Sequence, residues 1–572
     1  MQERPTRLII LVALLLAAAL MHLGSVGTTH AATQRRSSQK IFMPAVLQRP
    51  PATQDLSITH IGLYQTVQTA ANSVSLIAHK PALLRVYAQA QGAATPPVAE
   101  VTVYAYQGMT FLGSLTIGPQ AVPAQPSTDI LSSTFNFDLP HDWLSGNVTL
   151  TASVDPVNTV LEVNESNNDH TAQFTFHDVA PLELTIIPIN YHDTRTGRLY
   201  EDEPHDPISD WLLGAYPVSR VNVTYHLPFN FAGDLRQPGE WERLLRDLST
   251  LAAAEVGSTS ATVYYGLLPT THASGATWFE GGVSGLGWIG QRVSIGLDLG
   301  VDTGNSAAHE IGHNFGRRHA PCGNPSSPDP HYPYPNATIG VYGMDTDEDV
   351  LLSPGANFDM MSYCGPEWVS DYTYEGLLQD QLARTAPTND PGEGLLLRAA
   401  FDGETAAALP VYRLNGAALP ADDSGYSVQL LDERGTVIAT HPATLLEAEE
   451  TGVAARMLVA HAPAPRVAVA EVRFLRDGKM VAERKLISSG LDTRAQTAAA
   501  TSVAGGLRLT WGQPGVPALV RISADGAQWT TLALDVLGGQ MTLTREQLSD
   551  GGQIQIVPGD GGPVMTVELL GG

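Results

Sequence analysis

Short apolar runs alternate with polar residues through the early part of the chain. Residues 55–178 contain several such runs, among them PALLRVYAQA, EVTVYAY and NVTLTASV, with turn residues between them. Strict alternation places every second side chain on one face of a strand, and strands at this spacing are typical of two packed sheets. We therefore predict a β-sandwich over residues 55–178.

The pattern changes between residues 179 and 390, where strand-like and helix-like segments mix. LELTIIPINY (182–191) has the apolar run of a buried strand. EWERLLRDLSTLAAAEV (240–256) has apolar residues at the three- and four-residue spacing of an amphipathic helix. Two more strand-like runs follow, at 261–269 and 292–299, and a helix comes after them. This order predicts an α/β layer with the last helix behind the sheet.

The helical signal is absent after residue 390. Hairpin-like segments with Arg-Gly or Asp-Gly turns fill this part of the chain, including SVQLLDERGTVIAT (427–440). We predict two β-domains here, residues 391–490 and 491–572, and interpret both as accessory modules.

The N-terminus has the three parts of a secretory signal. Two arginines precede the uncharged run LIILVALLLAAALMHL (8–23), and the small residues of TTHAA (28–32) follow it. The alternative is a membrane anchor, but the run is short for a span of about 20 residues. We predict a signal peptide over residues 1–31, cleaved after Ala31, then a linker over residues 32–54, and no stable membrane insertion after cleavage.

The charge of the chain excludes two classes of partner. Lys and Arg total 32 against 58 Asp and Glu, a net charge of −26. Such an acidic chain repels the phosphates of nucleic acids and anionic membranes. We expect neither as a partner.

Three histidines, a glutamate and a glycine stand at fixed offsets in SAAHEIGHNFGRRHAPCG (306–323). On a helix, the four-residue spacing puts the first two histidines on one face, where both can bind one ion. A glutamate in this position reaches the water on that ion, and the glycine ends the helix so that the third histidine can turn back. An ordinary polar helix is the alternative. The motif predicts a catalytic Zn²⁺ with one open position, and its residues are His309, Glu310, His313, Gly316 and His319.

This stretch resembles the zinc-binding helix of the metzincin metalloendopeptidases, and HEIGHNFG is most similar to the reprolysin or adamalysin type. The resemblance implies a methionine turn below the metal, which FDMMSYCG (358–365) supplies, with Met361 favoured over Met360. Tyr363 stands where serralysins have a tyrosine that can act as an extra zinc ligand. An ordinary core tyrosine is an equal alternative. Ala320 replaces the aspartate that is common in reprolysins, so the subfamily stays open.

A second resemblance concerns the first β-sandwich. VDPVNTVLEVNESNNDHTAQFTF (154–176) is similar to the last hairpin of CARDB-like, immunoglobulin-type adhesion modules. The predicted fold class is therefore multidomain, with an α/β metzincin-type catalytic domain at residues 179–390 flanked by all-β immunoglobulin-like sandwich domains.

The chain has two cysteines, Cys322 and Cys364. In an exported protein two thiols are more often paired than free. Cys322 lies three residues after His319, and Cys364 lies three residues after Met361. The predicted disulfide would therefore tie the loop of the third ligand to the methionine turn.

These observations predict a secreted zinc-dependent endopeptidase that acts on extracellular proteins or peptides, with Glu310 as general base. The competing class is a cell-surface or matrix binding protein with a non-catalytic zinc site. An acidic loop, DTDED (345–349), is a weak candidate for Ca²⁺, and a solvated loop is favoured. Candidate substrate-binding residues lie in a glycine-rich edge strand or loop (281–297) and after the methionine turn, where core packing is the alternative: Gly285, Trp288, Trp368, Tyr372 and Tyr374.

Overall fold

The computed structural model describes residues 52–569, apart from residues 202–204, 257–260, 385–392, 403, 416–423, 451, 487–496, 513 and 549–551. All described residues belong to one unit of mutual contacts, Ala52–Gly572. The predicted signal peptide and most of the predicted linker lie outside the described residues. Within the described part, no helix is both long and apolar enough to cross a membrane.

Eight of the first nine strands form two sheets that share one apolar core, and β2 pairs instead with a strand of the middle segment. The smaller sheet has the order β1-β4-β7, and the larger has the order β3-β9-β8-β5-β6. Alternate residues of both sheets fill the core between them, so this segment is a sandwich. The strands are β1 (Asp55–Tyr64), β2 (Val67–Gln68), β3 (Leu76–Ile77), β4 (Leu83–Gln91), β5 (Val98–Gln107), β6 (Thr110–Ala121), β7 (Phe135–Asp138), β8 (Gly146–Val154) and β9 (Asp169–His177).

The middle of the chain contains a mixed sheet and the four α-helices of the described residues. They are α1 (Ser209–Ala215), α2 (Pro238–Val256), α3 (Thr303–Asn314) and α4 (Asp371–Arg384). The strands are β10 (Leu182–Asp193), β11 (Arg198–Tyr200), β12 (Val221–Tyr225), β13 (Phe229–Gly233), β14 (Val263–Pro269), β15 (Gly285–Gly287), β16 (Val293–Asp298), β17 (Tyr342–Asp345), β18 (Val350–Leu352), β19 (Phe358–Asp359) and β20 (Glu367–Trp368).

The mixed sheet has the order β11-β10-β14-β16-β15, and β12 and β13 also pair with β10. Strands β10, β14 and β16 are parallel, whereas β15 runs antiparallel at the edge. Successive side chains of β14 enter different cores. Tyr264 packs in the core that contains α2, and Tyr265 packs in the core that contains α1 and α3. The sheet therefore has helices on both faces, as its alternating burial requires.

The C-terminal segment consists of strands. One pair of sheets has the orders β22-β21-β27-β26, with β23 beside β21, and β25-β24-β28-β29; the last pair has the orders β30-β31-β34 and β33-β32-β35-β36. The strands are β21 (Glu393–Asp402), β22 (Thr405–Ala408), β23 (Tyr412–Asn415), β24 (Tyr426–Leu431), β25 (Val437–Pro442), β26 (Thr444–Glu450), β27 (Val453–Pro463), β28 (Glu471–Arg476), β29 (Lys479–Lys485), β30 (Ala499–Val503), β31 (Gly506–Thr510), β32 (Ala518–Ser523), β33 (Thr530–Val536), β34 (Gln540–Thr544), β35 (Gln553–Pro558) and β36 (Met565–Glu568).

The predicted fold class is wrong. The described residues form 36 strands and four α-helices, so the molecule is mostly β rather than built around an α/β metzincin-type domain. The middle segment also does not close a core of its own. The apolar face of α2, which includes Leu248, shares one core with Leu446 and Val459 of the C-terminal sheets. The spacing of apolar residues at 240–256 and 303–314 indicates helices and their apolar faces. It does not indicate that strands from other parts of the chain pack against those helices.

Candidate metal centre

Helix α3 presents two of the predicted histidines to the interior. His309 and His313 are both buried, and their ring centroids lie 4.9 Å apart. The helix ends at Asn314, and Gly316 follows with φ of +75°, a left-handed conformation that glycine adopts without steric cost. The chain then turns back, so that the ring of His319 lies 4.7 Å from that of His313. The glycine at the helix end thus explains how the third histidine reaches the first two.

The backbone fixes the orientation of all three rings. Because a carbonyl oxygen can only accept a hydrogen bond, each ring carries a proton on Nδ1 and turns Nε2 inward. The three Nδ1–H groups donate to three backbone carbonyls: His309 to Met360 (2.7 Å), His313 to Arg317 (2.7 Å) and His319 to Ser326 (2.9 Å).

A fourth group that the sequence did not suggest completes the cluster. Glu450, the last residue of β26, is buried, and its Oε1 lies 3.4, 3.3 and 2.9 Å from Nε2 of His309, His313 and His319. The four ligand atoms lie within 4.8 Å of one another. In the part of the chain that the structure describes, this is the one such group of three or more histidine, cysteine or acidic residues.

The chemistry of this donor set fits a metal ion. Three imidazole lone pairs and a carboxylate oxygen point at one place, and all four are acceptors. Nε2 of His309 is buried without a hydrogen-bond partner. Such a cluster is unfavourable unless protons or a cation lie among the acceptors. Imidazole and carboxylate are ligands for zinc and related divalent ions, so these residues could bind one.

The protein groups alone keep the carboxylate ionised. Burial raises the pKa of Glu450, but its contacts with the three histidines outweigh burial and hold that pKa well below its ordinary value. Burial lowers the pKa of His313 to about 4, while contact with Glu450 overcomes burial at His309 and raises its pKa to about 9. An ionised carboxylate and a neutral imidazole are the forms that bind metals, so a metal would displace the proton that His309 holds beside Glu450.

The methionine turn lies directly against α3. Met361 packs on Gly312, where an added Cβ would meet Sδ at 2.4 Å. Buried Asp359 holds the turn, because its carboxylate accepts the N–H of Met361 (2.9 Å) and of Ser370 (3.0 Å). Since the carbonyl of Met360 accepts from His309, this turn positions the first ligand.

The predicted disulfide is confirmed. Cys322 and Cys364 are bonded, with their Cα atoms 5.7 Å apart. Two backbone hydrogen bonds flank the bridge, from Ala320 N–H to the carbonyl of Met361 (2.8 Å) and from Tyr363 N–H to the carbonyl of Cys322 (3.1 Å). The loop of the third ligand is therefore tied to the methionine turn.

Tyr363 contacts the metal ligands themselves. Its hydroxyl lies 3.2 Å from Nε2 of His319 and donates to Oε2 of Glu450. The structure therefore places this side chain at the cluster rather than in the apolar core.

Glu310 is buried beside a cavity at the histidine cluster. A space of 190 Å³ is lined by Glu310, Glu450, His309 and Tyr363, among others. Oε2 of Glu310 has no hydrogen-bond partner, and burial together with the charge of Glu450 raises its pKa well above the ordinary value. No protein group among the described residues therefore competes for this oxygen at the cavity.

Two of the predicted substrate-binding residues lie in or beside strand β15. Gly285 is buried and lies against the Glu310 side chain. Trp288 is 1% exposed, and its indole N–H donates to Ser249 (2.7 Å). The glycine is thus next to Glu310, and the tryptophan is in the apolar core.

The aromatic residues after the methionine turn lie further from the cluster. Trp368 is buried and donates its indole N–H to the carbonyl of Thr66 (3.1 Å). Tyr372 donates its hydroxyl to Asp329 (2.8 Å), and Tyr374 is buried. In this conformation the polar groups of Trp368 and Tyr372 bind other parts of the protein.

The acidic loop at 345–349 forms a turn. One carboxylate oxygen of Asp345 accepts the N–H groups of Asp347 (3.0 Å) and Glu348 (3.1 Å). These residues do not gather three ligands at one point among the described residues. The candidate Ca²⁺ site gains no support from this arrangement.

Comparisons with known proteins match only one segment of the chain to a family. No curated protein matches the chain. Two solved glycosidases align over most of it: a β-glucuronidase from Parabacteroides merdae (10% identity, 90% of this chain and 77% of that one, TM-score 0.15) and a β-glycosidase from Bacteroides vulgatus (9% identity, 89% and 80%, TM-score 0.14). Likeness at this level carries no conclusion, and none of these matches supports the metzincin resemblance.

The N-terminal sandwich matches a known domain family. Residues 64–172 match the CARDB family. The CARDB domain of a Pyrococcus furiosus protein, solved in complex with di-metal ions, is similar at 21% identity over 22% of this chain and 97% of that chain, with a TM-score of 0.16. The predicted module is thereby confirmed: residues 64–172 are an immunoglobulin-like CARDB domain.

Proposed function

We propose that this protein is a secreted zinc-dependent endopeptidase that hydrolyses peptide bonds in extracellular proteins. One observation carries the proposal: three oriented imidazoles converge beside a cavity that also receives an unpartnered carboxylate oxygen of Glu310. A metal-binding face with an adjacent base is the arrangement that water-activating hydrolases need.

Each residue of the cluster has a role in this chemistry. His309, His313 and His319 would hold the ion, which when bound supplies an acidic water and a positive charge for the developing oxyanion. Glu310 would take the proton of that water and pass it to the leaving amine, because its carboxylate lies at the cavity with no competing partner for Oε2. The hydroxyl of Tyr363 would donate to the same oxyanion.

The spacing of the motif supports zinc and peptides in particular. Three nitrogen ligands suit Zn²⁺, and the offsets of His309, Glu310, His313 and His319 resemble the zinc helix of metzincin peptidases. The CARDB domain supports an extracellular or surface location. A protein or peptide is the proposed substrate, because the net charge of −26 disfavours nucleic acids.

The test compares zinc-loaded proteins with and without Glu310. Because Glu450 lies on the metal-binding face, the comparison uses Glu450→Ala and the double variant Glu310→Ala/Glu450→Ala, with an unfolded protein as substrate. We expect cleavage by the first and at least about 100-fold less by the second, since general-base catalysis contributes 10² to 10⁴. Equal zinc content is the control. Equal cleavage, or none by zinc-loaded Glu450→Ala, would overturn the proposal.

A binding protein with a structural metal site is the second candidate. Four protein ligands around one position are typical of structural zinc, and Glu450 provides the fourth. On this view the CARDB domain and the C-terminal sheets make the contacts that matter. Loss of folding on zinc removal, without cleavage by any variant, would favour it.

A further inference from the structure

The carboxylate at the metal-binding face comes from a different part of the fold than the histidines. Glu450 follows His319 by 131 residues and stands at the end of strand β26, where Gly452, with φ of +87°, precedes β27. Strands β26 and β27 pair from Thr444 to Glu450, and we name them the β26–β27 hairpin. The tip of this hairpin therefore carries the carboxylate into the site.

The hairpin tip fits the position that a catalytic metal keeps open. Three histidines leave one place of a tetrahedral site for water, and Oε1 of Glu450 is the atom that all three Nε2 groups face. The other carboxylate oxygen accepts the hydroxyl of Tyr363. Both oxygens of Glu450 are thus held by groups that hydrolysis would use.

The hairpin also lies beside the edge of the mixed sheet, where a peptide would bind on the proposed function. Beyond β15, the edge strand of the mixed sheet, the N–H of Ile289 donates to the carbonyl of Glu447 (2.9 Å) in β26. The cavity left at the cluster is 190 Å³, below the about 300–1,000 Å³ of ordinary ligand sites. With the Glu450 side chain in place, this space is therefore smaller than an ordinary ligand needs.

We propose that Glu450 is an internal fourth ligand that keeps the metal centre latent. The carboxylate occupies the water position, so the enzyme becomes active only when the Glu450 side chain leaves it. This inference rests on the proposed function, because latency has meaning only for a catalytic centre. The part of the proposal that assigns Glu450 as a metal ligand does not depend on any catalytic activity.

The body of the hairpin is packed firmly enough to hold Glu450 at the metal-binding face. Leu446 of β26 and Met457 and Val459 of β27 lie in the same core as α2. Its tip, by contrast, reaches the site through the side chain of one residue. A change confined to Glu450 therefore opens the site without removing the anchor.

The experiment uses the full chain loaded with Co²⁺, whose visible absorption depends on its ligands and coordination number. Azide is the probe, since it binds an open metal position. The variants are Glu450→Ala, Glu450→Gln and the matched control Glu447→Ala, an exposed residue of the same strand. Thermal unfolding checks that each variant is folded.

Azide should leave the spectra of the wild type and of Glu447→Ala unchanged, and it should change that of Glu450→Ala in a saturable way. Zinc affinity should fall about tenfold or more in Glu450→Ala and Glu450→Gln, and not in the control. Binding of azide to the wild type as tight as to Glu450→Ala would overturn the assignment of Glu450 as a ligand.

The two proposals fail separately. If Glu450→Ala binds azide but cleaves no protein, Glu450 is a ligand and the peptidase is wrong. If the wild type binds azide and cleaves protein as fast as Glu450→Ala, the peptidase stands and latency is wrong.

Discussion

Gly285 and Gly287 set how closely strand β15 approaches Glu310, the proposed general base. A Cβ at Gly285 would lie 2.4 to 2.6 Å from three side-chain atoms of Glu310, and one at Gly287 would lie 2.5 Å from the Glu310 carbonyl oxygen. Real Cβ atoms do not come this close to other heavy atoms. The two glycines are therefore a requirement of the Glu310 position, and not only a feature of the edge strand.

Gly285→Ala should displace the Glu310 side chain while leaving the histidines in place. In the Glu450→Ala background, we expect cleavage to fall at least about tenfold with unchanged zinc content, because a small misplacement of a base costs rate without affecting the ligands. Gly239→Ala in the first turn of α2, where an added Cβ meets nothing, is the matched control. Full activity of Gly285→Ala would show that Glu310 tolerates the shift.

At the residue scale, the predictable part of the site is the part encoded by short offsets. His309, Glu310, His313 and His319 lie within one helix and the loop after it, so their spacing was sufficient. Glu450 could not be found this way, because it lies 131 residues downstream of His319 in a separate hairpin. It stands there among other glutamates, with no motif that marks it as a ligand. Burial of a lone glutamate at a hairpin tip leaves no periodic signal.

At the scale of elements, the loop of the third ligand has little regular structure of its own. Its position depends on the Cys322–Cys364 bond and on the hydrogen bond from Ala320 to Met361. The methionine turn is fixed in turn by the buried carboxylate of Asp359. The ligand geometry thus rests on two loops that support each other.

Removing the disulfide should weaken both stability and metal binding. The bridge joins residues 42 apart, and for that loop length the chain-entropy model gives about 4 kcal/mol. We expect the double variant Cys322→Ser/Cys364→Ser to melt at a lower temperature and to bind zinc about 10- to 100-fold more weakly, as disturbed ligand support does. Calorimetry and chelator competition measure the two effects.

Reduction of the wild type provides the control for that variant. A reductant should lower the melting temperature of the wild type to that of the double variant and leave the double variant unchanged. If the disulfide does not stabilise the fold, the wild type and the double variant should melt at the same temperature, with and without reductant.

The elements themselves were predictable where a period was long. The amphipathic pattern at 240–256 gave α2, which has buried Leu244, Leu248 and Leu251. The fold class was not, because a period shows which face is apolar but not which element covers it. The face of α2 is covered in part by the C-terminal sheets, and no signal within residues 179–390 contains that information.

At the scale of the whole molecule, the CARDB domain is joined to the middle segment by buried polar contacts. Strand β2 pairs with β17, and the carbonyl of Thr66 accepts from Trp368. Buried Lys80 donates to the carbonyls of Leu213 and Gly214 at the end of α1. The ammonium group thus satisfies carbonyls that the helix leaves unpaired.

Lys80 should make stability depend on pH above neutrality. Burial lowers its pKa from 10.5 to about 7. Between these values the unfolded chain binds a proton that the folded chain does not, so stability rises with pH by up to about 1.4 kcal/mol per unit. Lys80→Met lacks this proton, and the melting temperature of the wild type relative to the variant should increase from pH 7 to 10. Below pH 7 the difference should be flat.

Lys479→Met, at an exposed lysine of β29, should follow the wild type at every pH. If Lys80→Met also followed the wild-type profile, the ammonium would be charged in both states, and burial would have no effect on its titration.

The core shared by α2 and the C-terminal sheets limits how this gene can change in length. A stop codon near residue 390 would leave the three histidines and Glu310 in the product, yet it would expose the apolar residues of α2 that now pack on Leu446 and Val459. Contiguous apolar surface of this kind promotes aggregation. Sandwich domains are commonly exchanged between genes as modules. We expect the C-terminal sheets of this protein not to be exchanged in this way, because they share a core with α2.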